Sequence, residues 1–240
     1  MIKLNNVFNK FYLYALISIV VIEIISFLAH QNYLLNYFTF FILIGLTFIL
    51  SIKKLEWGIY ILLTELFIGS KGYLFFIEIF DFRLSLRIGI FIILILAWFI
   101  KIILNSDKYL FNKSFKYYYQ YLILFVFIII GIINGLAHSS FKLAFFDFNG
   151  WIYFAILPVL IAIIKDSSII EKVINIFLAC ITYLSVKTIL LYILFIHQFN
   201  LNLLPIYRWV RDSGVGEITK INEIVEKDFY FDGYSLSKDI

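Results

Sequence analysis

The sequence predicts an all-α, polytopic transmembrane helix bundle of about seven spans with a short outward-facing tail. Three observations lead there. Hydrophobic residues make up 63% of the 240 and charged residues 15%, with a mean hydropathy of +0.97. No single soluble core absorbs that much apolar surface, so lipid has to solvate most of the chain. Apolar runs of spanning length recur; between Arg87 and Asn105 the only charge is Lys101, and a helix over 88–104 is roughly 26 Å long at about 1.5 Å per residue. Lysines then gather at alternate ends of those runs. The formal charge of +4 therefore reads as membrane orientation and not as a nucleic-acid surface.

Taken in order, Lys3 and Lys10 precede an apolar run at 11–29. It is too long for the core of a secretory signal, lacks a small-x-small cleavage site and is followed by further spans, so it is expected to remain as an anchor. The link His30-Gln31-Asn32 leads into a second span at 33–52, which ends at Lys53-Lys54. The third apolar segment, 57–69, is short for a span. If Lys53 and Lys54 share a side with Lys101, Lys108, Lys113 and Lys116, the crossings between them must be even, so the third segment is expected to cross. The fourth span is 88–104, the fifth 119–136, the sixth 150–164 with Pro158 inside it, and the seventh 173–199.

With the amino terminus inside, the inner side carries Lys3, Lys10, Lys53, Lys54, Lys101, Lys108, Lys113, Lys116, Lys165 and Lys172. The outer loops before the tail carry only Lys71, Arg83, Arg87 and Lys142. That asymmetry places the amino terminus in the cytoplasm and the tail, 200–240, outside, leaving 1–199 as the membrane bundle. Lys101 lies one turn from its span end and is expected to reach back to the headgroups. Residues 73–82, aromatic-rich with Glu78 and Asp81 among them, suit an interfacial helix or hairpin. Within the tail, Ile218, Ile221, Val225 and Phe229 fall on one face at helical spacing after the turn-prone 212–216.

Three ionisable residues fall inside the expected spans: Glu23, Glu65 and Lys187. A charge at mid-span costs roughly 2.5–3.5 kcal/mol on insertion scales, so each is expected to face a partner, the bundle interior or water. Counted from the inner helix ends at about 1.5 Å per residue, Glu23 lies about 18 Å deep, Glu65 about 12 Å and Lys187 about 22 Å, which makes Glu23 the easiest partner for Lys187. The trio reads as a structural ion pair or headgroup-directed carboxylates, an ion or proton pathway, or a substrate site. His30, His138 and His197 fall at outer span ends. Cys180, the single cysteine, lies in an apolar run, so no intramolecular disulfide forms. No His pair has metal-ligand spacing, and no phosphate-cradling glycine loop is present in the sequence, so neither a metal nor another cofactor is expected.

Four arginines, Arg83, Arg87, Arg208 and Arg211, all fall on the expected outer side. Orientation statistics disfavour that placement, and guanidinium forks suit phosphate and diphosphate oxygens. Lipid headgroups or the neighbouring Asp81 and Asp212 are the plainer partners.

These arginines lie in stretches where the chain resembles the O-antigen ligase and polymerase family of bacterial membrane glycosyltransferases. The similar stretches are 65–87, with Gly69, Gly72 and Ser85-Leu86-Arg87; Phe145-Phe146-Asp147-Phe148-Asn149-Gly150-Trp151 with Pro158; and Arg211-Asp212-Ser213-Gly214. The resemblance implies an enzyme of the bacterial inner membrane that transfers a glycan from an undecaprenyl-diphosphate carrier to an acceptor sugar at the outer face, without metal or nucleotide sugar. Arg211 and then Arg87 would hold the diphosphate, with Arg208 and Arg83 as further candidates. Such proteins are roughly twice this length and carry their catalytic histidine in a large outer region, whereas residues from 200 on contain no histidine. No catalytic base is carried over, and the chain is expected to correspond to the amino-terminal half of such a protein, an incomplete or inactive fragment included. A transporter or flippase component using Glu23, Glu65 and Lys187, and an assembly subunit without chemistry, are the competing readings.

Overall fold

A computed structural model gives the fold, and it describes residues 8–69, 72–79, 82–104, 118–164, 167–197 and 203–213. The chain is an all-α membrane protein. Helix α1 (Lys10–Gln31) starts at Asn9, whose side chain accepts a hydrogen bond from Tyr12 N at 3.0 Å. Asn32 then ends one helix and starts the next. Its N–H donates to Ala29 O at 3.1 Å and its side chain accepts from Leu34 N at 3.1 Å, opening α2 (Tyr33–Lys53). A side-chain oxygen at this position satisfies N–H groups that the first turn of a helix otherwise leaves unpaired.

Helix α3 (Leu55–Ile68) has 14 residues, about 21 Å, against roughly 30 Å of hydrocarbon. It carries the chain from the end where α2 stops toward the end where α2 starts, where Phe76 meets Asn36. That segment leads into an antiparallel hairpin, β1 (Phe76–Ile79) and β2 (Phe82–Ser85), paired Phe76 to Ser85 and Glu78 to Arg83. Of the two forms expected for 73–82, the structure has the hairpin. Two strands are marginal alone, and this pair is tied to the start of α2. Asn36 Nδ2 donates to Phe76 O at 2.6 Å and Asn36 Oδ1 accepts from Phe76 N at 3.3 Å, while the Tyr37 hydroxyl donates to Glu78 O and accepts from Glu78 N. Helix α4 (Leu86–Leu104) follows directly.

Helices α5 (Tyr118–His138) and α6 (Phe141–Ile152) pack on each other at the edge, α5 with no buried residue among those described. The sixth span differs from expectation. Residues 141–149, outside the expected span of 150–164, are helical, with Ser140 capping α6 through Leu143 N. A 3-10 turn at Tyr153–Ile156 then joins α6 to α7 (Leu157–Ile163). Pro158, in the first turn of α7, cannot donate to residue 154, and its ring would meet that carbonyl, so the α-helical ladder is interrupted there. Helix α8 (Ser167–Ile196) begins six residues before the expected span, since its polar first turns, with Glu171 and Lys172, are helical outside the apolar stretch.

The core forms where α1 meets α8, α2 meets α4, and α3 lies against α2, α4 and α8. Phe40, Ile59, Leu62, Leu94, Val159 and Ala179 are fully buried within it. Gly58 allows the closest approach: a Cβ there would stand 2.6 Å from Leu94 Cδ1 and against Ser51 Oγ. Leu13, Ile17, Val21, Ile24 and Leu28 of α1 are exposed, and such continuous outward apolar faces require hydrocarbon around them. Six helical stretches among the described residues are long and apolar enough to cross a bilayer. Lys101 is turned into the bundle, 9% exposed, and does not project toward a headgroup layer as expected.

The expected tail opens with a helix. Helix α9 (Leu204–Ser213) folds back along α8 toward the bundle interior, placing Tyr207 beside Phe195, Trp209 and Val210 beside Leu191, and Trp209 beside Lys187. The reason is its pattern: Ile206, Trp209, Val210 and Ser213 form one face, with Arg208 and Arg211 exposed on the other. The helical face expected from Ile218 to Phe229 lies outside the described residues.

Candidate functional site

The three intramembrane charges separate into two ion pairs. Lys187 Nζ on α8 donates to Glu23 Oε2 on α1 at 2.8 Å, with side-chain exposures of 7% and 3%. This is the pairing the depth count favours. The ammonium lies 4.3 Å from the Trp209 ring centroid and 5.7 Å from that of Tyr183. Two ring faces and a carboxylate thus replace the water that a buried ammonium loses. Glu23 Oε1 makes no hydrogen bond of good geometry, though the Tyr183 hydroxyl is near enough to feel the carboxylate.

A hydrogen-bond chain starts from the Trp209 ring that covers this pair. Trp209 Nε1 donates to Ser26 Oγ at 3.1 Å, and Ser26 Oγ donates to Leu74 O at 2.8 Å. One turn of α1 therefore joins α9 to the segment leading into the hairpin. Sequence reasoning passed over Ser26, Trp209 and Asn36. Ser26 was findable, because Glu23, Ser26 and His30 form an i, i+3, i+7 stripe on an otherwise apolar helix.

Glu65 does not join Lys187. Arg87 Nε, in the first turn of α4, donates to Glu65 Oε2 at 2.6 Å, with side-chain exposures of 13% and 4%. Glycines let the chain wrap this pair. Gly72 has φ +77, the left-handed region that favours glycine, and a Cβ there would lie 3.0 Å from Arg87 Cβ. A Cβ on Gly69 would lie 2.6 Å from Glu65 Oε1. Tyr153, in the 3-10 turn, has a buried hydroxyl in the field of Arg87, Glu65 and Tyr73. Burial pushes the Tyr73 hydroxyl above its ordinary value, with Arg83 opposing, so it remains a hydrogen-bond donor at neutral pH.

The four arginines sit in different surroundings. Arg83 Nε pairs with Glu78 Oε1 at 2.8 Å in an exposed cross-strand contact and its guanidinium lies 5.0 Å from the Phe76 ring centroid. Such exposed pairs contribute about 0–1 kcal/mol. Arg208 is exposed on α9, and the Arg211 guanidinium lies 5.8 Å from the Tyr207 ring centroid. Arg87 alone of the four is largely enclosed and oriented by a buried carboxylate. His138 and His197 each place Nδ1 near the carbonyl one turn back, at 3.0 Å and 3.2 Å. Cys180 is buried, and among the described residues no group of His, Cys, Asp and Glu is arranged to hold a metal.

Glu23 and Glu65 also border one apolar cleft of about 270 Å³ between α1 and α3. Fold and site together define a polytopic all-α membrane protein with two buried intramembrane ion pairs, one of them sealed by a returning helix. No protein-family model, curated protein or solved structure matches the chain.

Proposed function

We propose that the protein acts on a lipid-linked glycan at the outer face of the bacterial inner membrane. In this reading it is a ligase or polymerase of the O-antigen type, passing glycan from an undecaprenyl-diphosphate carrier to an acceptor sugar. The observation that supports it is local. Glu65, Gly69, Gly72 and Arg87, residues that carry the resemblance, meet at one point, and there a guanidinium is held nearly enclosed by a carboxylate. A fixed guanidinium suits the charge that develops on a leaving diphosphate, because it needs little reorganisation during the reaction. Glu65 orients Arg87 but offsets its charge, so further donors are required; Tyr73 and Arg211 are the candidates here. An inverting transfer also needs a base for the acceptor hydroxyl, and none is assigned.

The test is Arg87→Gln and Arg87→Lys in the intact protein, following surface glycan and accumulation of carrier-linked glycan. Losing one preorganised donor is expected to slow transfer about 10²–10³-fold. Lys should restore little, since it lacks the planar fork. Unchanged transfer at normal protein levels counts against the site.

A second reading rests on the Lys187–Glu23 pair, since buried intramembrane charges also mark ion and proton routes. A transporter or flippase component should lose gradient-coupled movement of its substrate in Lys187→Ala while the fold persists. Absence of coupling under any imposed gradient removes this reading.

A further inference from the structure

The cleft between α1 and α3 has one charged end and one end where charge is hidden. Along α1 it runs from Phe11 to Glu23, about 18 Å at the helical rise, slightly more than one leaflet of a roughly 30 Å hydrocarbon layer. At the Glu23 end the polarity is turned away. Each glutamate gives Oε2 to its own cation, and the other oxygen of each is covered by protein. Glu23 and Glu65 border the cleft there among aliphatic side chains, and the lining throughout is predominantly apolar. A hydrocarbon chain fits such a surface; a polar solute does not.

The other end is built differently. Phe11 packs against Trp57 and Tyr60, with ring centroids 6.4 Å and 5.8 Å apart, so the first turns of α1 and α3 meet there. Lys10 precedes Phe11, and Lys53 and Lys54 precede Trp57; all three lysines are exposed. Glu56 in the first turn of α3 carries an opposing charge. Trp57 and Tyr14 are themselves 42% and 64% exposed, which suits rings at a headgroup boundary. An excess of lysine beside an aromatic rim selects an anion, and an apolar cleft behind it selects a chain.

We propose that the α1–α3 cleft is a binding site for an anionic phospholipid, one acyl chain lying in the cleft and the phosphate meeting Lys10, Lys53 and Lys54. Arg87 itself does not border the cleft, although its partner Glu65 does, and the proposal does not depend on glycan transfer.

Full-length protein is titrated with phosphatidylglycerol and with phosphatidylcholine of the same chains, and retained lipid is read by native mass spectrometry. A phosphatidylglycerol bearing a photoreactive acyl chain maps the contact. Phosphatidylglycerol is expected to bind at least about tenfold more tightly, because basic residues at a lipid surface favour anionic headgroups. The label should fall on α1 and α3. Lys10→Gln/Lys53→Gln/Lys54→Gln should abolish the preference for the anionic lipid. Ala15→Phe, which fills the cleft, should remove the label from α3 at an unchanged melting temperature; Ser18→Leu is the second variant if Ala15→Phe does not fold. Equal binding of the two lipids, labelling spread evenly over all lipid-facing helices, or a label indifferent to the filling variants overturns the proposal.

Discussion

Lys187→Met is the most informative single change, because it removes a charge whose surroundings are fully described. Wild-type Lys187 gives up water for the Glu23 carboxylate at 2.8 Å and the Trp209 face at 4.3 Å. Met keeps most of the volume and leaves Glu23, 3% exposed, without its cation. Breaking a buried pair by removing one partner costs about 3–5 kcal/mol, whereas replacing both partners by apolar residues is often close to neutral. Lys187→Met and Glu23→Leu should therefore each cost about 3 kcal/mol, and the double variant should return to within about 1 kcal/mol of wild type. The resulting coupling energy is about 5 kcal/mol or more, above the roughly 0.5–3 kcal/mol that contacting residues usually show, because each single variant strands a buried charge. The assay is reversible unfolding in mixed micelles with the four proteins of the cycle. Single variants that cost under about 1 kcal/mol and add would mean that the ion pair does not form as described.

Three further outcomes follow from the same geometry. Trp209→Ala should cost about 3–5 kcal/mol of packing and expose residues 204–213 to hydrogen exchange, whereas Trp209→Phe should lose about 1 kcal/mol, the Ser26 hydrogen bond alone. Gly72→Ala should destabilise by about 1–3 kcal/mol, since φ is +77 and Arg87 Cβ stands 3.0 Å from the added methyl; a neutral result in a thermal melt refutes that backbone. Asn36→Leu should cost about 2 kcal/mol by removing both bonds to Phe76, and a protease acting on the hairpin should then cut sooner than in wild type.

Much of the bundle was legible because hydropathy reports the hydrocarbon-facing part of a helix directly. The run 11–29 lies within α1, 33–52 within α2 and 119–136 within α5, while 88–104 closely matches α4. What hydropathy does not report is helix outside the apolar stretch, so the polar turns of α8 before Val173 and the start of α6 at Phe141 were missed. Asp147 and Asn149 break the apolar run, yet they are helical within α6, which Ser140 caps. The pair Lys187–Glu23 could be anticipated from depth alone, because both spans were long and unambiguous. Glu65–Arg87 could not, since it depends on how Gly69 and Gly72 return the chain over the start of α4. The return of α9 was written in Ile206, Trp209, Val210 and Ser213, an amphipathic face too short to stand out within a polar tail.

The functional account needs the hairpin, the first turn of α4 and α9 on the extracytoplasmic side, because a diphosphate carrier presents its glycan there. Glu78→Cys on the exposed hairpin, in protein whose native Cys180 is buried, provides the probe, with Lys53→Cys at the opposite end of the bundle as its counterpart. In intact cells a membrane-impermeant maleimide should label Glu78→Cys at once and Lys53→Cys only after permeabilisation. The reverse pattern would put Arg87 on the cytoplasmic side and contradict the assignment.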